Sequence, residues 1–264
     1  MKLIKWRITV FAIMAISIAW LACNKTSDNP QNPGPFNLSY GDSILYLRPA
    51  AGDYIVSPVS TRPGVYEGFP EGIEIDAVTG AINISKSETG LRYRITHTAA
   101  DGTITKTYVI LSGITFKDKF YNLSQNDSIA PPVYNASEAR ILPVNGSVFD
   151  EGGGANLSGC DVKTINGQIN LAQTVRNGLF GNTPANDSRK DIDIIYRLND
   201  NSSKSLNKIR VRLYYYTSMA TVAPDLLQTL QDRQTGGVFL RGGTIDGIEQ
   251  AAKPRPPCVI IIAN

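Results

Sequence analysis

Apolar and polar side chains alternate with a period of two along several stretches of this chain, which predicts β-strands with one buried face. In residues 91–98, Leu91, Tyr93, Ile95 and His97 fall on one face and Arg92, Arg94 and Thr96 on the other. Asp101 and Gly102 supply a turn, because both residue types tolerate positive φ. Residues 103–111 return as a strand rich in Thr, Val, Ile and Tyr. A second such pair follows. Ile192, Ile194, Tyr196 and Leu198 alternate with Asp191, Asp193, Ile195 and Arg197. After a turn-prone stretch at 199–207, Ile209, Val211, Leu213 and Tyr215 alternate with Arg210, Arg212, Tyr214 and Tyr216. Residues 259–263 are apolar without interruption and read as a fully buried closing strand. One stretch carries helical signals: Pro224 at the start, Asp225 in the first turn, Leu226, Leu227 and Leu230 on one face, Arg233 late and Gly236 as the stop. The expectation is an all-β protein with one short helix. It has two β-domains, at 37–115 and 133–264, and a polar linker at 116–132 that ends in Pro131-Pro132.

The amino terminus has a different texture. Lys2, Lys5 and Arg7 precede an apolar run at 8–21, interrupted only by Thr9 and Ser17. That run is shorter than the roughly 20 residues a bilayer span requires, so residues 1–22 read as an export signal. Its end, Leu21-Ala22-Cys23, resembles the lipobox of bacterial lipoproteins. By that resemblance Cys23 carries the lipid and becomes the first mature residue, which makes the membrane a partner through the anchor. Residues 24–35 contain no apolar side chain and cannot offset the entropy of ordering, so 23–36 reads as a flexible tether. Asn24 stands where an aspartate would signal inner-membrane retention in the sorting pattern this resembles. The resemblance therefore implies the outer membrane, with the facing of the anchored protein open.

The stretch from Gly68 to Ile82 resembles the immunoglobulin-like, cadherin-related repeats of bacterial surface proteins. The matching positions are Pro70, Gly72, Ile73, Asp76, Thr79, Gly80 and Ile82, and Gly90 followed by a tyrosine-containing strand matches as well. Asn83-Ile84-Ser85 departs from the common pattern. The resemblance implies a β-sandwich of the immunoglobulin or cadherin kind over 37–115. Asp76 is expected to accept bonds from the amides of the turn leading to Thr79 and Gly80. Calcium binding through Glu74, Asp76 and Asp101 is the alternative, although no dense Asp/Asn loop supports the six to eight oxygens calcium takes. No cofactor is otherwise expected. The whole arrangement is similar to lipoproteins of Bacteroidetes-type bacteria. Asp42-Ser43-Ile44 and Asp127-Ser128-Ile129 resemble O-glycosylation sites found in some of them.

Charge changes the picture once the export signal is set aside. The chain has 26 Lys and Arg against 23 Asp and Glu, and removing Lys2, Lys5 and Arg7 leaves equal numbers. A neutral mature chain does not point to nucleic acid as a partner. One histidine, no Cys-x-x-Cys and no Gly-Lys-Ser/Thr after Glu151-Gly-Gly-Gly leave no metal site, His-based catalytic site or phosphate loop to propose. His97 reads as structural and the glycine run as a surface loop. Cys160 and Cys258 remain after lipidation, and in an oxidising compartment they suggest one disulfide, with two buried thiols or a reactive nucleophile as alternatives. Asp150, Glu151, Asp161, Asp191 and Asp193 are the acids from which a glycosidase pair would have to come.

Tyr214 and Tyr216, beside Arg210 and Arg212, form a candidate binding face. Exposed tyrosines next to arginines stack on sugars or anchor proteins. A second sheet or the helix covering them is the other reading. The functional expectation is a lipid-anchored envelope protein that binds or scaffolds a glycan or protein. An envelope polysaccharide hydrolase and a structural subunit of a surface assembly are the alternatives.

Overall fold

The computed structural model describes residues 35–235 and 256–264. Cys23, the stretch 1–22 read as an export signal, residues 23–34 of the expected tether and Gly236 lie outside the described residues. Asn37–Asn264 group as one compact unit. The chain is all-β in class, with a few short helices.

The strands, in chain order, are β1 (Ile44–Leu45), β2 (Ile55–Val56), β3 (Val65–Phe69), β4 (Ile82–Asn83), β5 (Leu91–Thr98), β6 (Ile104–Leu111), β7 (Ile114–Thr115), β8 (Lys119–Asn122), β9 (Ile129–Ala130), β10 (Val133–Tyr134), β11 (Val148–Phe149), β12 (Ile169–Asn170), β13 (Ser188–Arg197), β14 (Asn207–Tyr216) and β15 (Cys258–Ile262). The helices are α1 (Gly154–Leu157), α2 (Leu171–Arg176) and α3 (Pro224–Thr235). The first sheet has the order β1-β6-β5-β3. The hairpin β5–β6 is its centre, in a register that sets Leu91 opposite Leu111 and Thr98 opposite Ile104. Asp101 accepts the amide of Thr103 at 2.8 Å, and Gly102 takes φ +82, so the expected turn chemistry is the one used. Leu91, Tyr93, Ile95 and His97 are buried as the alternation requires.

The larger sheet has the order β11-β13-β14-β15-β8. Here β13 and β14 are antiparallel, whereas β15 runs parallel to both neighbours, β14 and β8. A parallel pair needs a long crossover, and α3 lies in the crossover from β14 to β15. One face of this sheet is covered along its length and the other only at one end. Ile192, Ile194, Tyr196, Ile209, Val211, Leu213, Tyr215, Val259 and Ile261 join one core cluster. Tyr214, Tyr216, Cys258, Ile260 and Ile262 pack with Val222, Leu226 and Leu230 of the α3 segment in another. All five residues of β15 are buried, which explains why its sequence reads as an unbroken apolar run.

Three expectations need correction. Residues 116–132 are not a linker, since they contribute β8 to the large sheet and β9 to a pair with β12. Their polarity misled because these are short elements, and in β8 only Phe120 and Tyr121 pack against the cores, one on each face. The helix is not alone: α1 and α2 are short helices at chain reversals, too brief for a periodic signal. Their amides are held by side chains, Asp150 accepting from Ala155 and Asn156 at 2.8 and 2.9 Å and Asn170 from Gln173 at 3.0 Å. The Glu151 glycine run is thus a tight entry to α1, with Gly152 and Gly153 at positive φ. Finally, Leu227 of α3 is 43% exposed and Arg233 only 6%. The buried stripe is therefore Leu226, Leu230 and Arg233, at helical spacing.

Candidate functional site

The Asp76 turn has the expected form. Asp76 Oδ1 accepts the amide of Val78 at 3.0 Å, the amide of Thr79 at 2.7 Å and the Thr79 hydroxyl at 2.9 Å. These bonds, led by those from Thr79, hold the carboxyl below its ordinary range. Gly80 sits at φ +71, and a Cβ there would stand 2.7 Å from the Tyr66 ring, so both conformation and space demand glycine. Gly72 is also at positive φ, and Pro70 follows a cis bond from Phe69. Among the described residues, no group of three or more His, Cys, Asp or Glu is placed to hold a metal ion.

The tyrosine face is not a surface. Tyr214 is 5% and Tyr216 0% exposed, because α3 closes over this end of the sheet. Tyr216 donates to Asp187, and Arg189 lies 5.3 Å from the Tyr214 ring. Arg210 and Arg212 stay at the surface as rungs of a cross-strand ladder. Arg212 donates to both oxygens of Asp191 at 2.6 and 2.7 Å, and Arg210 to both of Asp193 at 2.7 and 3.0 Å. They depress the two carboxyls chiefly through those bonds. Period-two alternation had put Tyr214 and Tyr216 opposite the core set correctly, but what covers that side is a helix from farther along the chain.

Cys160 and Cys258 are free thiols, not a disulfide. Each packs in a different cluster, on opposite faces of the large sheet, so the expected bond is geometrically closed off. Burial pushes the Cys160 thiol up to about 12 and raises that of Cys258. Around Cys258 lies a polar knot the sequence did not announce. Arg233 Nη1 donates to both oxygens of Asp118 at 3.1 Å and lies 3.1 Å from Cys258 Sγ. The Cys258 amide donates to Asp118 at 2.6 Å. The Arg233 and Asp118 side chains are 7% and 8% exposed. This knot ties α3 to β15 and to the segment entering β8. His97, 1% exposed, is likewise internal, with Nε2 3.2 Å from the Arg62 carbonyl and its ring 4.6 Å from that of Tyr66.

The acids considered for glycosidase work all have partners. Asp150 holds α1, Glu151 receives Arg197 Nε at 2.6 Å, and Asp161 pairs with Lys163 at 3.0 Å. Asp191 and Asp193 belong to the arginine ladder. Of the two serines in the modification-like triplets, Ser43 is exposed before β1 and Ser128 is half-buried before β9.

The open concavity that sequence reasoning missed lies in the presumed linker. A groove of about 370 Å³ runs between β8 and the 131–140 segment. Pro131, Pro132 and Tyr134 line it together with Lys117, Lys119, Glu138 and Arg140. Tyr134 donates to Asp200 at 2.7 Å, which fixes its ring. Lys117 pairs with Glu138, Lys119 pairs with Asp127 at 2.8 Å and lies 4.6 Å over the Tyr121 ring, and Arg140 is exposed. A second hollow of about 380 Å³ is bordered by Glu88, Thr89, Lys208 and Arg210. The only sequence signal for the groove was the cluster of cations beside Pro131-Pro132, spread over more than twenty residues. No helix among the described residues is long and apolar enough to cross a membrane. No protein-family model matches the chain, and no curated protein matches it.

Proposed function

We propose that this chain is a lipid-anchored protein of the outer membrane that binds a glycan or protein partner without transforming it. Its first β-region would act as an immunoglobulin- or cadherin-like spacer. The observation that carries the non-catalytic reading is the commitment of the candidate acids. Asp150, Glu151, Asp161, Asp191 and Asp193 each hold a backbone amide or a cation. A glycosidase needs two carboxyls facing one sugar across about 5–10 Å, one of them protonated. Asp191 and Asp193, held below the ordinary carboxylate range by their arginines, do not supply the protonated acid, and Asp150, Glu151 and Asp161 are each engaged elsewhere. The Asp76–Gly80 turn supports the spacer assignment, because the residues that carry the resemblance form the turn it implies. The anchor rests on Leu21-Ala22-Cys23 and the apolar run before it.

Two measurements test this reading. In protease shaving of intact cells, with Cys23→Ala and a periplasmic marker as controls, digestion of the anchored protein while the marker survives would place it at the surface. Protection until permeabilisation would place it in the periplasm and turn attention to envelope assembly. Incubation with a polysaccharide panel is expected to show retention without new reducing ends, and release of reducing ends would replace binding by hydrolysis.

A further inference from the structure

We propose that the groove between β8 and the 131–140 segment is a subsite for a carboxylate-bearing sugar ring, so that the partner is an acidic glycan. The inference deepens the binding reading and rests on it. Three cations border the groove, Lys117, Lys119 and Arg140, against the single lining carboxylate of Glu138. Two of the cations are already held, by Glu138 and by Asp127. Arg140 has no side-chain partner among the described residues, and its planar fork of donors matches a carboxylate in two-point contact. The held lysines add positive potential, and their pairs fix their heads at the rim without closing the groove.

The walls favour a ring. Pro131, Pro132 and the Asp200-fixed Tyr134 present flat apolar surfaces, and a pyranose offers one apolar C–H face and a polar edge. A sugar acid can therefore lie against the prolines and tyrosine with its carboxylate turned to the cations. About 370 Å³ lies at the small end of ligand sites and suits one or two rings. An acidic peptide would bring its carboxylates on flexible stems, which lose rotamer freedom on binding, whereas a pyranose is rigid beforehand. The second hollow is the weaker candidate, because its Arg210 and Lys208 are both engaged with Asp193.

The test titrates the full-length lipoprotein in detergent with digalacturonate, using galactobiose and triglutamate as controls, and with the Arg140→Ala and Lys117→Gln variants. Expected are binding of digalacturonate that weakens with added salt, a loss of about tenfold in Arg140→Ala and a smaller one in Lys117→Gln. Melting temperatures are expected to stay unchanged, since both side chains are at the surface. Galactobiose and triglutamate are expected to bind at least tenfold more weakly than digalacturonate. Equal affinity of both variants and the native protein would overturn the groove assignment while leaving a glycan-binding protein. Preference for triglutamate would overturn the sugar and leave a protein partner, and equal binding of galactobiose would overturn the role of charge. No binding of any probe by the native protein would overturn the proposal. Cleavage of digalacturonate would instead sink the binding reading on which it rests.

Discussion

The hairpin β5–β6 is closed by Asp101 and Gly102, which lie between its own strands, and the nearby Asp76 turn is closed by Val78 and Thr79. The hairpin β13–β14 takes its outer cover from α3, and α3 is in turn fixed by Arg233 to Asp118, 115 positions away in the sequence. Both hairpins alternate arginines with apolar residues. In the first region short-range turn chemistry accounts for the geometry. In the second, half of the outer face is an exposed arginine–aspartate ladder and the other half is core, though the sequence marks no boundary between them. Alternation reports which side of a strand a residue points to, and what lies on that side depends on the rest of the chain.

Replacing Tyr214 and Tyr216 together by alanine should have the largest effect on that comparison. Large aromatic-to-alanine changes in a core cost about 3–5 kcal/mol each, so the double variant should lose most of its stability and its cooperative urea transition. Retention of a native-like transition would mean that α3 does not cover them. Next is Arg233→Met, expected to cost about 3–5 kcal/mol because it removes the guanidinium that faces the buried Asp118 carboxylate. Adding Asp118→Leu should restore much of that loss, and a purely additive cycle would show that the pair is not coupled. In the first region, Gly80→Ala should cost about 1–3 kcal/mol through its positive φ and the Tyr66 contact, read as a lower urea midpoint with a folded circular dichroism spectrum.

The smallest effects separate the regions by pH and salt. Asp76, Asp191 and Asp193 all have lowered folded pKa values. Their stabilisation is full above the ordinary carboxylate value of about 4 and is lost as the pH falls through the lower folded value. Melting temperatures measured from pH 5 to 2 should therefore decline. In high salt the share from Asp191 and Asp193, which face arginines at the surface, should shrink, while that from Asp76, bonded to amides and a hydroxyl, should persist. Asp76→Asn and Asp191→Asn that respond identically to salt would erase the distinction. In the native state neither Cys160 nor Cys258 should react with a thiol reagent at pH 8, and both should do so in denaturant.

Much of the fold was legible because it rests on short-range rules. Both long hairpins, the buried closing strand, the start of α3 and the Asp76 turn were all readable from spacing. The linker reading failed at β8 because a four-residue edge strand such as Lys-Phe-Tyr-Asn buries one full side chain, Tyr121, among partly exposed ones. The disulfide failed because counting two cysteines says nothing about which face of a sheet each occupies. The groove and the Asp118–Arg233–Cys258 knot were invisible, since each is assembled from segments whose neighbourhood the sequence does not record.

Local steric and hydrogen-bonding rules let the sequence by itself determine the strand periods, the turns and the all-β class. Tertiary structure decided that Tyr214 and Tyr216 are core, that the thiols sit apart and that Lys117, Lys119 and Arg140 meet around one groove. Those outcomes depend on the path of the crossover through α3 and on the parallel seating of β15 between β14 and β8. Burial is a property of what packs against a face, and alternation along one strand does not record that partner.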